Sequence, residues 1–210
     1  MNRFVRTAGK VLLYAFFALG VILLVTGMGK ESTMIFSFTS FVFCWALQWL
    51  IEKNELNNRD FFILIINIGF WLGLLGDIFL YFQFEYYDKV IHIFIGVLLA
   101  SILYQYYTQY TQNLKLKKEM VFFSALGMLA FWEIYEYILY AFFGYPAMGV
   151  ILNGVNIMSA LDDTMFDLIC GSLGAIIYLI FKKEKINERI KKAETKGREI
   201  YTNLKRKQTK

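Results

Sequence analysis

The chain has 210 residues, of which 58% are hydrophobic, 19% aromatic and only 19% charged. Soluble domains run at about 45–50% apolar and roughly 25% charged, and a mean hydropathy of +0.47 departs in the same direction. These proportions exclude a disordered chain, a collagen-like chain and a disulfide-stapled miniprotein. They weigh against an ordinary soluble enzyme and leave a polytopic membrane protein.

A helix needs about 20 apolar residues to cross roughly 30 Å of hydrocarbon. In chain order the predicted spans are Val11–Met28, Met34–Ile51, Phe61–Phe84, Val90–Tyr110, Met120–Gly144 and Thr164–Phe181. Their apolar residues are continuous rather than alternating, which predicts helices and not barrel strands. The first follows a basic segment as a signal peptide would. Its apolar run is too long for a signal core and no small-x-small cleavage site follows, so it reads as an uncleaved span. Glu52–Asp60 and Thr111–Glu119 are hydrophilic connections. Tyr145–Leu161 carries no charge and holds the sole proline, Pro146, so it is expected at the membrane interface or dipping back into the protein. The expected fold is all-α: a six-transmembrane-helix bundle over residues 1–181, followed by a basic tail, 182–210.

Lysine and arginine set the orientation. With six spans, one side of the membrane holds 20 of these residues and the other only Lys30 and Lys89. This predicts both termini in the cytoplasm. The formal net charge of +5 is concentrated in the tail, which carries 12 basic and 4 acidic groups. The charge therefore gives no indication of nucleic-acid binding. Ile186, Ile190, Ala193, Ile200 and Leu204 recur at helical spacings, so the tail reads as an amphipathic helix. Such a helix suits anionic lipid or a cytosolic partner. Cys44 and Cys170 fall inside spans and read as small buried hydrophobes.

Carboxylates inside a span are costly unless paired, protonated or hydrated, so they mark functional positions. At 1.5 Å per residue, Asp77 lies about 24 Å along span three, and Glu133 and Glu136 about 20 and 24 Å along span five. Asp88 stands at the outer mouth of span four, with His92 one turn deeper. Asp162 and Asp163 stand at the mouth of span six, with Asp167 one turn deeper. Four helices thus bring acids to one level, the outer third of the membrane. Asp88 and His92 are i,i+4, Glu133 and Glu136 i,i+3, and Asp163 and Asp167 i,i+4, so each pair shares a helix face. Asp162 reads better as an N-terminal cap of span six than as a ligand.

Many carboxylates in low dielectric repel one another, and a cation removes the conflict. Carboxylates with one imidazole suit a divalent ion: Zn, Mn, Fe or Mg. The chain has a single His, which disfavours a di-iron site built on two Glu-x-x-His pairs. The expected metal ligands are Glu133, Glu136, Asp163, Asp167 and His92. His92, oriented by Asp88, would be a ligand or the general base. Asp77 and Asp162 would complete the polar cavity. The competing structural account keeps the acids protonated or hydrogen-bonded to nearby Tyr86, Tyr87, Tyr135, Tyr137 and Tyr140. Gly69, Gly73 and Gly76 in span three, and Gly171 and Gly174 in span six, would let neighbouring helices approach closely.

At these residues the chain resembles the YjdF-like bacterial inner-membrane proteins. Three blocks carry the likeness: Tyr87–Gly96 with D-x-x-x-H and a following Gly, Trp132–Tyr137 with E-x-x-E, and Asp163–Leu168 with D-x-x-x-D ahead of Gly171 and Gly174. The likeness covers Phe61–Phe181. It implies a multi-span helical protein of the bacterial cytoplasmic membrane, and no activity. The family pattern has a further Asp three residues before the Asp163 position, where this chain has Ala160.

Three functions fit these features. One is a metal-dependent membrane hydrolase or transferase acting at the outer leaflet, with Tyr145–Leu161 as a lid. The second is a divalent-cation or proton transporter. Acids confined to one level and the absence of an inverted repeat count against it. The third is a non-catalytic scaffold that binds a partner through its tail, which leaves the clustered acids without a purpose.

Overall fold

A computed structural model describes residues 3–27, 31–84, 86–145, 148–152 and 155–182. Six helices are long and apolar enough to cross a membrane: α1 (Arg3–Thr26), α2 (Glu31–Lys53), α3 (Arg59–Ile78), α4 (Tyr87–Thr108), α5 (Leu114–Phe143) and α6 (Ala160–Phe181). The chain divides into two compact units, Met1–Leu179 and Ile180–Lys210. Beyond Lys182 the second unit, with the expected amphipathic tail, lies outside the described residues.

The core is built in two parts. Leu13 and Phe16 of α1, Cys44 and Ile51 of α2, and Ile63, Ile66 and Leu74 of α3 form one cluster, which Leu98 and Ile102 of α4 join. Leu99, Ala100 and Tyr104 on another side of α4 pack with Val121, Ala125 and Leu129 of α5 and Ala175 and Leu179 of α6. Helix α4 therefore contributes to both, with α1–α3 to one side and α5–α6 to the other.

The sequence reading carried span three through Phe84, but α3 ends at Ile78. Phe79 leaves helical geometry at φ −155°, and a single 3-10 turn follows at Leu80–Phe82. The turn folds the Tyr81 ring back over Gly76, where a Cβ would stand 2.4 Å from Tyr81 Cζ. Only glycine leaves room for that ring. In segment 145–161 the described residues turn back toward the helices, as one of the two expectations had it, and include strands that the sequence reading did not foresee. Helix α5 stops at Gly144, whose left-handed φ of 66° glycine tolerates without a Cβ clash. A short antiparallel hairpin follows, β1 (Val150–Leu152) with β2 (Val155–Met158).

Helices α4 and α6 meet through glycines. A Cβ on Gly96 would stand 1.9 Å from the Gly171 carbonyl oxygen, and one on Gly174 would stand 2.1 Å from the Ile93 carbonyl oxygen. No side chain fits either place without moving a backbone. Gly174→Leu is expected to destabilise the protein by at least the roughly 1–3 kcal/mol typical of overpacking. Gly127→Ala, whose new Cβ would meet nothing within 4 Å, should instead stabilise by about 0.5–1 kcal/mol through helix propensity. Thermal unfolding of the two variants in mild detergent checks both signs.

Candidate functional site

Spacing on α4 and α6 aligns charge with glycine. Lys89, His92 and Gly96 are separated by three and four residues, so they share a face of α4. Asp163, Asp167, Gly171 and Gly174 share a face of α6 by the same rule. The glycine contact therefore lays the two polar segments against each other one to two turns further out.

At that level Lys89, His92, Glu133, Asp163 and Asp167 are all buried. The Lys89 ammonium donates to Asp163 Oδ1, to Asp167 Oδ1 at 2.7 Å and to Asp88 Oδ2 at 3.1 Å. His92 Nε2 lies 3.7 Å from Asp88 Oδ1 and 3.8 Å from Asp167 Oδ1, and His92 Nδ1 lies 3.9 Å from Glu133 Oε1. One ligand atom each from Asp88, His92 and Asp167 lies within 4.8 Å of the others. Two atoms bound to one ion at about 2.1 Å each stand about 3–4.2 Å apart. This triple comes close to that range without rearrangement of the backbone.

Glu133 is 4% exposed. The Thr164 hydroxyl is the one neighbouring donor that faces its carboxylate, and neither group has a well-aligned hydrogen bond to any other. Buried polar groups are almost always satisfied, so this carboxylate is the least well partnered of the buried acids in the cluster.

The remaining predicted residues divide between a second group and the surface. Glu136 accepts from Trp132 Nε1 at 2.8 Å. Asp77 accepts from Thr33 Oγ1 at 2.8 Å and from the Tyr145 hydroxyl at 3.3 Å. Burial, reinforced by the Asp77 carboxylate, pushes the Tyr145 hydroxyl well above its ordinary pKa and keeps it a donor. Asp162 does not reach the cavity. It is exposed and exchanges hydrogen bonds with Ser159, whose Oγ donates to Asp162 Oδ2 at 2.6 Å and accepts from the Asp162 N–H at 3.2 Å. This reciprocal pair caps α6, so Ser159 is the cap and Asp162 its partner.

Asp77, Asp88, His92, Glu136 and Asp163 open on a cavity of about 770 Å³ whose inner walls are apolar. Met148, Gly149 and Val150 of the hairpin segment also line it, on the side of Asp163. The Gly149 N–H donates to Asp163 Oδ2 at 2.7 Å, which ties the hairpin to the charged group.

Sequence reading missed two participants. It placed Lys89 among the outer charges and not in the cluster. The signal available was its spacing from His92 and Gly96. Of the tyrosines expected beside the acids, Tyr135 does line the cavity with Glu136, and Tyr145 joins it there unforeseen. Tyr86, Tyr137 and Tyr140 are exposed, and Tyr87 donates to the Leu72 carbonyl at 2.9 Å. Tyr145 is brought to Asp77 by the left-handed turn at Gly144, which residue spacing does not reveal.

The fold and cluster define a multi-pass α-helical membrane protein with acids, one histidine and one lysine gathered near one end of its helices. The chain belongs to the family described as "Predicted membrane protein (DUF2238)", which it matches over residues 10–184. The YjdF-like resemblance is consistent with that membership. No curated protein and no solved structure matches the chain.

Lys89→Met leaves three buried or half-buried carboxylates without their ammonium, and breaking such a pair costs about 3–5 kcal/mol. Combining it with Asp163→Asn should cost less than the two single changes summed, with a coupling of about 0.5–3 kcal/mol. A double-mutant cycle on unfolding in detergent measures this. Simple additivity would mean that the ammonium and Asp163 do not interact.

Proposed function

We propose that the protein is a metal-dependent membrane hydrolase or transferase whose reaction takes place in the outer third of the bilayer. The observation that carries this reading is the close Asp88–His92–Asp167 triple beside the poorly partnered Glu133 at the polar end of a large cavity. Asp88, His92 and Asp167 would hold a divalent ion (Zn, Mn, Fe or Mg), with Glu133 as the nearest further carboxylate. Asp163 and Glu136 lie on the cavity side of the same group and extend the donor set. Such an ion activates water or polarises a carbonyl or phosphoryl oxygen. His92 suits the role of ligand or general base, oriented by Asp88. The hairpin tied to Asp163 suits a lid.

The 20-to-2 distribution of basic residues supports an orientation with both termini inside. On that orientation we place the site outward and the tail on anionic lipid or a cytosolic partner, and on the family resemblance alone we place the protein in a bacterial cytoplasmic membrane. Transport of a cation or proton draws on the same acids. It lacks support from the inner half of the spans, where Asp and Glu are almost absent.

Lys89 favours a second reading. Its ammonium already serves three carboxylates, so the cluster could be a structural ion network. Metal content separates the two. The untagged protein, purified in mild detergent and incubated with each ion, is expected to retain about one ion per chain. Glu133→Gln/Asp167→Asn should retain at least tenfold less at unchanged helicity. Absence of a retained ion in the unaltered chain would overturn the enzyme reading and leave the structural network.

A further inference from the structure

The cavity has more structure than an ion requires. From Asp88 to Ile102 the lining of α4 runs 14 residues, about 21 Å at 1.5 Å per residue. That is most of the way across a hydrocarbon core of about 30 Å. The deep walls are Phe43, Ile66, Leu98, Ile102 and Met128. The outer end is lined by Asp77, Asp88, Glu136 and Asp163, with His92, and among the described residues no lysine or arginine lines it. Lys89 sits behind the carboxylates, consumed by them.

Two features add to this polarity. The aromatic side chains of Trp132, Tyr135 and Tyr145 line the cavity beside Glu136 and Asp77, and aromatic faces attract organic cations. Phe131 lines the cavity and is also 59% exposed, 17 residues into α5. The wall of the cavity at this level is therefore formed by an exposed residue on the flank of a membrane-spanning helix.

We propose that the cavity binds a single-chain amphiphile with a positively charged polar end. The chain lies along α4 and α5, and the cation sits between Asp77 and Glu136. The inference rests on the enzyme reading above for its chemistry, because it makes this amphiphile the substrate presented to the ion. Binding itself is measurable without turnover.

Gly127 provides the test. It lines the cavity, and a Cβ there meets nothing within 4 Å. It lies nine residues before Glu136, about 14 Å deeper. Gly127→Phe therefore fills the inner cavity and leaves the polar end alone. The full-length protein in neutral detergent is mixed with hexadecyltrimethylammonium, octyltrimethylammonium or hexadecyl sulfate, and adducts are counted by native mass spectrometry.

The expected result is one hexadecyltrimethylammonium per chain, held at least tenfold more tightly than hexadecyl sulfate. Gly127→Phe should weaken the hexadecyl cation at least tenfold and leave the octyl cation unchanged. Asp77→Asn/Glu136→Gln should remove the preference for the cation while the hexadecyl chain still binds. Equal retention of cation and sulfate by the unaltered chain, or indifference of the hexadecyl cation to Gly127→Phe, would overturn the proposal. Metal content of the same samples separates the failures. An ion retained without selective adducts overturns this proposal alone, and selective adducts without an ion overturn the enzyme reading alone.

Discussion

The backbone contact between α4 and α6 is the constraint on which the rest depends. Gly96 faces the Gly171 carbonyl, and Gly174 faces the Ile93 carbonyl, at distances that no Cβ could share. In lipid there is little hydrophobic drive between helices, so close packing of small residues takes its place. Lys89 and His92 share a face with Gly96, and Asp163 and Asp167 share one with Gly171 and Gly174. Packing the glycines therefore forces the charges together. Had bulky residues stood in their places, the helices would separate and the ammonium could not reach both aspartates of α6.

Bringing so many acids together leaves a charge imbalance. One lysine answers Asp88, Asp163 and Asp167, and Glu133 beside them faces only the Thr164 hydroxyl. Asp77 accepts from two hydroxyls and Glu136 from an indole. A cluster whose purpose was stability alone would gain by replacing such acids with apolar residues of similar volume. Their retention in a space that opens on an apolar cavity fits a site that receives a cation.

Much of this arrangement was legible in the sequence because helices are periodic. Six long apolar runs gave six spans, and spacings of three and four placed each acid pair on one face. Counting residues from the span ends placed the acids at one depth. The Gly171–Gly174 pair announced a close approach but not the partner helix, and Gly96 looked like one motif position among many. Lys89, near the start of α4, was counted only among the charges outside the spans, and its part in the acid cluster was not seen. Its long side chain reaches inward to acids on another helix.

The sequence by itself determined the membrane setting, the six candidate spans and the helix faces that the acids share. These follow from hydropathy and local helical geometry, which need no knowledge of distant residues. Only the tertiary structure decided which faces meet, that α3 stops at Ile78 to seat Tyr81 on Gly76, and that Tyr145 bonds Asp77. It also decided that a lysine fills the centre of the acids. Those that join helices far apart in the chain are set by the shape of packed surfaces, and periodicity within one helix does not encode them.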